Sequence, residues 1–109
     1  MANVNPMKLS ERMKLQRQFS IEQAADGRQC NFDEVSSGLN EERALLEAAR
    51  CLECKNSICR EGCPVIIDIR SFIQLIYQKD YAGAVNKIRE SNYLPAICGR
   101  VCPQEEQCE

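Results

Sequence analysis

Cysteine is the residue type in this sequence whose number and spacing could do chemistry. Eight cysteines occur among 109 residues, and they are clustered. Cys30 stands alone, Cys51, Cys54, Cys59 and Cys63 form one group, and Cys98, Cys102 and Cys108 form a second. The opening MANVNPMKLSERMKLQ has no unbroken apolar h-region, and no stretch approaches the apolar length of a membrane span, so a cytoplasmic location is expected. A reducing compartment would not keep that many cysteines as structural disulfides. Their thiolates are better suited to ligating metal.

The first group reads CLECKNSICREGCP, a CxxCxxxxCxxxCP pattern. A four-iron cubane offers one open coordination position per iron, and three thiolates on one tight loop can reach three of those positions. Bacterial ferredoxins use a related CxxCxxCxxxCP run, whose last cysteine turns away to ligate a different cluster. By the same geometry Cys51, Cys54 and Cys59 are expected to share one 4Fe–4S cluster, with Cys63 starting a second. The second group, CGRVCPQEEQC, supplies Cys102 before a proline and Cys108 after a loop. With Cys63 these give three ligands for the second cluster, and Pro103 restricts the backbone so that the chain turns away after Cys102.

Other readings compete with this one. Structural zinc takes four thiolates, usually as one CxxC matched to another, whereas the second group here is CxxxCPxxxxxC. A dithiol redox motif at Cys51 and Cys54 would need a surrounding βαβ pattern, which the sequence lacks. The absence of histidine removes His-ligated zinc and Rieske-type sites. Cys30 is expected to be a small buried hydrophobe, while Cys98 could be either ligand or packing residue. The glycines are scattered, so no GxGxxG loop cradles a pyrophosphate, and neither a Ser/His/Asp set nor a Cys/His pair is present. No catalytic site of its own is expected. Lys plus Arg number 14 against 16 Asp plus Glu, without a long run of one sign, which indicates neither nucleic acid nor a membrane surface as partner.

The elements that must position these cysteines are helical. Residues 7–25 carry Leu9, Met13, Leu15, Phe19, Ile21 and Ala24 at mixed spacings, which predicts a helix ending near Asp26-Gly27, followed by an extended connection from Phe32 to Gly38. Asn40 can cap a helix over 41–51, with Leu45, Ala48, Ala49 and Leu52 as its apolar stripe. After Asp68 a helix over 69–78 places Ile69, Phe72, Ile73, Ile76 and Tyr77 on one face. Asp80 can cap another over 81–91, with Ala84, Val85 and Ile88 inward. The short link predicts a helical hairpin, and Leu94-Pro95 is expected to break the helix and return the chain to the second cysteine group. The fold class expected is all-α, two cysteine loops joined by a helical hairpin. Glu105 and Glu106 read as a solvated face.

The stretch from Gly38 to Glu109, GLNEERALLEAARCLECKNSICREGCP through ICGRVCPQEEQCE, resembles the N-terminal iron–sulfur domain of the small (β) subunit of NADPH-dependent glutamate synthase. It is similar, too, to the N-terminal domain of dihydropyrimidine dehydrogenase and to part of an electron-bifurcating NADH-dependent ferredoxin:NADP oxidoreductase subunit. The resemblance implies an α-helical ferredoxin-like domain over residues 38–109, truncated at its C-terminal end, behind an arm at residues 1–37 with one helix. It implies two 4Fe–4S clusters, with Cys51, Cys54 and Cys59 serving the first and Cys63, Cys102 and Cys108 the second, and it makes Cys98 a non-ligand. In such relatives a later cysteine completes the first cluster and a later non-cysteine side chain completes the second, so a domain fragment is expected here. FAD and NADPH would bind domains further along the chain, and a larger synthase subunit would be the partner. The function implied is electron transfer between a flavin and a partner redox centre. The alternative is a subunit-docking helical module with a purely structural zinc site.

Overall fold

The computed structural model describes residues 6–109, leaving the first five residues of the arm outside the description. The helices in chain order are α1 (Leu9–Arg12), α2 (Ala25–Arg28), α3 (Glu41–Ala49), α4 (Ile58–Glu61), α5 (Ile69–Tyr77), α6 (Tyr81–Arg89) and α7 (Pro95–Val101), with a 3-10 turn at Gln104–Glu106. The three longest start where a short polar side chain can accept an otherwise orphaned backbone N–H. Asn40 Oδ1 accepts from Arg43 N at 2.9 Å and opens α3. Asp68 accepts from both the backbone and the hydroxyl of Ser71 and opens α5. Asp80 accepts from Gly83 N at 2.9 Å and opens α6. Lys79, at φ 63°, makes the left-handed turn between α5 and α6, which pack closely on each other while α5 also rests on α3.

One stretch differs from the sequence expectation. Residues 7–25 do not form one helix: only the single turn α1 forms before the chain runs extended to α2. The reason is a competing set of backbone partners. Ile21 N donates to Gly38 O, Ser37 N to Ile21 O and Gln23 N to Val35 O, all at 2.8–2.9 Å, with an isolated antiparallel bridge between Glu22 and Ser36. The break expected at Leu94-Pro95 is present: α6 ends at Arg89, Leu94 is non-helical at φ −122° and ψ 54°, and Pro95 then begins α7, where a proline lacks an N–H that would be unsatisfied anyway.

The conventional core is thin. Among the described residues the buried hydrophobic side chains are Ala48, Ala49 and Ala84, and the largest fully buried side chain is the charged Arg12. The apolar faces of α5 and α6 instead help to wall the cysteine cavity, through Phe72, Ile73 and Ile88.

Candidate metal centre

A cavity of about 820 Å³ lies between the cysteine loops, lined by Cys51, Cys54, Cys59, Cys63, Cys98, Cys102 and Cys108. All six cysteines that the spacing singles out therefore face one space. Cys98 joins them, with its Sγ 3.6 Å from Asn92 Oδ1. Cys30 does not: it is exposed on the arm, against the expectation of a buried hydrophobe, because the chain around it is held by short-range turns, not packed beneath a helix. Its Sγ approaches only Asp26 O, at 3.9 Å.

The first loop hangs from the C-terminal end of α3 and is gripped from behind. Arg12 of α1 donates through Nη1 to Cys51 O at 2.9 Å and through Nε to Met7 O at 3.1 Å. The same Nη1 lies 2.9 Å from Glu53 Oε1, an ion pair whose side chains are 1% and 6% exposed. Gln74 of α5 donates to the other Glu53 oxygen at 3.0 Å. Glu53 itself has φ 55°, a left-handed backbone that a non-glycine residue holds at a cost of order 1–3 kcal/mol. Its side-chain partners thus fix the reversal that turns Cys51 and Cys54 towards the cavity. Ile66, at φ 51°, makes a second left-handed turn just after Cys63-Pro64.

The second loop is held differently. α7 carries Cys98 and ends at Cys102, and the 3-10 turn then sets Cys108. Gly62 is where the two loops touch: a Cβ there would lie 2.6 Å from Gln107 O and 3.4 Å from the Cys108 Cα. Only a residue without a side chain lets Cys63 and Cys108 come this near. Arg17 of the arm ties the outside of the loop, 2.9 Å from Glu105 and 3.2 Å from Glu109.

Two of the thiols are shifted by their surroundings. Burial pushes the Cys51 thiol up, opposed by a backbone hydrogen bond at Glu53, while the Glu53 carboxylate and the thiols of Cys59 and Cys54 push it further up. Burial likewise raises the Cys108 thiol, with Cys102 and Cys63 as the main thiol neighbours and Cys59 a weaker one. Neutral thiols are favoured in this setting without a cation, and a bound metal would reverse that preference by stabilising the thiolates.

The donor set fits an iron–sulfur cluster better than a single ion. Among the described residues no three Cys, Asp or Glu converge tightly enough to grip one metal ion, whereas a closed zinc site gathers four ligands around one centre. Sulfur-only donors arrayed around a roomy, partly apolar space suit a cubane, which spreads its ligands over four irons. One further polar atom points to an absent acceptor: Arg70 Nε is buried with no hydrogen-bond partner, on a side chain that lines this cavity.

Sequence reasoning missed Arg12, Glu53, Gly62 and Arg70. Their only local signal was position, Glu53 and Gly62 lying inside the cysteine run; Arg12 sits far upstream and carried none.

Comparison with known proteins points to the same class of cofactor. Residues 28–109 match the family model described as dihydropyrimidine dehydrogenase domain II, 4Fe-4S cluster. The NAD-dependent dihydropyrimidine dehydrogenase subunit PreT homolog of Salmonella typhi is 42% identical over 78 residues, covering 72% of this chain and 19% of that protein. PreT of Escherichia coli (strain K12) is 41% identical over the same coverage. The chain thus spans about one fifth of the length of the curated relatives it matches. No helix among the described residues is long and apolar enough to cross a membrane. With three quarters of its length inside the family match, this chain belongs to the dihydropyrimidine dehydrogenase domain II family of 4Fe–4S cluster domains.

Proposed function

We propose that this domain relays electrons between a flavin and a partner redox centre inside an NAD(P)-dependent oxidoreductase. Cys51, Cys54 and Cys59 ligate one 4Fe–4S cluster, and Cys63, Cys102 and Cys108 ligate a second, within an α-helical ferredoxin-like fold. The observation that carries this reading is the gathering of all six cysteines around one cavity; the partition between clusters follows the spacing of the cysteines. When bound, such a cluster supplies a one-electron couple whose potential depends on charge, hydrogen bonds to sulfur and exposure.

The chain's own residues do the rest. The thiolates hold the group, and Phe72, Ile73 and Ile88 limit water at the cavity wall. Arg12 and Glu53 keep the first loop in its reversed shape. FAD and the nicotinamide nucleotide belong to other domains of the whole protein, which also includes or meets the partner redox centre. The host enzyme is of the dihydropyrimidine dehydrogenase subunit kind, in keeping with the names of the PreT relatives; a glutamate synthase small subunit, which the Gly38–Glu109 motifs resemble, is the second host reading.

Electron paramagnetic resonance of the anaerobically reconstituted full-length protein tests the ligand partition. Cys54→Ala is expected to disturb one cluster signal and Cys102→Ala the other. Loss of the same signal in both variants, with the other persisting, would sink the partition. A colourless protein carrying zinc and no acid-labile sulfide would instead favour the docking module.

A further inference from the structure

Six charged residues line the cysteine cavity, and all but one have an opposite charge to answer them. Arg12 is paired with Glu53, Arg50 with Glu47, and Glu109 with Arg17. Arg70 is the exception: it pairs with no carboxylate among the described residues. The carboxylate of Glu53 is already taken up by Arg12 and Gln74.

Arg70 is the second residue of α5, and its capped helix holds it beside the first cysteine loop. Its Nη1 reaches Cys54 O at 3.4 Å, a long contact that steadies the loop without saturating the guanidinium. Its Nε is buried without an acceptor. A buried donor left unmade costs about 1–3 kcal/mol, so an arginine placed this way is poorly explained as packing alone. What the cavity wall otherwise lacks is compensation for thiolates. Several thiolates withdrawn from water around one cofactor carry net negative charge, which is expensive to bury unanswered.

We infer that Arg70 is a positioning and charge-compensating residue for the cluster held by Cys51, Cys54 and Cys59, donating its free Nε–H towards sulfur in the cavity. The inference rests on the cluster reading above and adds to it a residue outside the ligand set. A fixed positive charge stabilises the reduced, more negative form of a couple over the oxidised form. Removing it lowers the midpoint potential of the nearby cluster and leaves the other nearly unchanged. At the separations across one cavity and an effective dielectric near 20, the loss is on the order of tenfold in the reduced-to-oxidised ratio at fixed potential. For a one-electron couple that is about 59 mV.

The test is a dithionite titration followed by electron paramagnetic resonance on the anaerobically reconstituted full-length protein, with iron and sulfide analysis of each sample. Arg70→Gln is expected to keep its iron and shift one cluster to a more negative potential, while Arg70→Lys keeps that potential near the wild-type value. An unchanged potential in Arg70→Gln with full iron content overturns the inference. Should Arg70→Gln lose the cluster, Arg70→Lys decides: a retained cluster at near wild-type potential supports charge compensation, and loss from both variants overturns it. A wild-type protein that takes up no iron and sulfide defeats the cluster reading itself, a result visible before any variant is compared.

Discussion

The two cysteine loops present the same sulfur chemistry to one cavity but are secured by opposite means. The first is anchored from inside, by the buried Arg12–Glu53 pair, the Arg12 contact with Cys51 O and the Gln74 contact with Glu53. The second is anchored from outside, by Arg17 reaching Glu105 and Glu109 on the surface. A buried pair is strongly destabilising to break, because the surviving charge is left in a medium that solvates it poorly, whereas an exposed pair competes with water and salt. The first loop is therefore built to hold its shape, and the second is closed mainly by its contact with the first at Gly62. Both anchors come from the arm, so a segment without cysteine ligands braces both halves of the candidate centre.

Arg12→Ala should break this contrast most severely. It strands Glu53 in the interior and removes the donor to Cys51 O, for an expected loss of about 3–5 kcal/mol in denaturant unfolding. Combining Arg12→Met with Glu53→Leu should recover a good part of that loss; a double variant no better than Arg12→Ala would show that the carbonyl contact matters more than the ion pair.

Gly62→Ala comes next. The added methyl meets backbone, not the end of a flexible side chain, so the loops must separate, at about 1–3 kcal/mol. Thermal melting should show the loss, and iron uptake should fall at both sets of cysteines, not one.

A smaller effect is expected from pH. The folded thiols of Cys51 and Cys108 are raised above their ordinary value, by burial first in both cases. In metal-free protein the folded state thus holds these protons more tightly than the unfolded chain. The stability they contribute is complete below the ordinary thiol range and is lost as pH rises through that range to the raised folded values. Unfolding curves between neutral and alkaline pH should show this decline. Cys51→Ala should flatten it relative to wild type. An equal slope in wild type and Cys51→Ala would refute the assignment.

Arg17→Ala should matter least. Its carboxylate partners are solvent-exposed, so the melting temperature should move little, and the difference should vanish at high salt. A large, salt-independent loss would erase the distinction between the inner and outer anchors.

The sequence by itself determined the local chemistry of this protein. The cap residues Asn40, Asp68 and Asp80 announced where α3, α5 and α6 start, since a side-chain oxygen three residues ahead of an orphaned N–H is a short-range arrangement. The cysteine spacing singled out six residues that share one cavity; within each loop ligands are near in space because they are near in sequence, and the α5–α6 hairpin brings the two loops together. Only the tertiary structure decided what depends on partners distant along the chain. Residues 17–23 had helical-looking apolar spacing but run extended, because the segment at 35–38 offered them backbone hydrogen bonds. The Leu94-Pro95 step announced the break after α6, but not the new helix α7 that Pro95 opens. Arg12 looked like any surface arginine until Glu53, 41 positions away, closed over it. A buried charge is defined by its solvent and its counter-charge, and neither is written in the residues beside it.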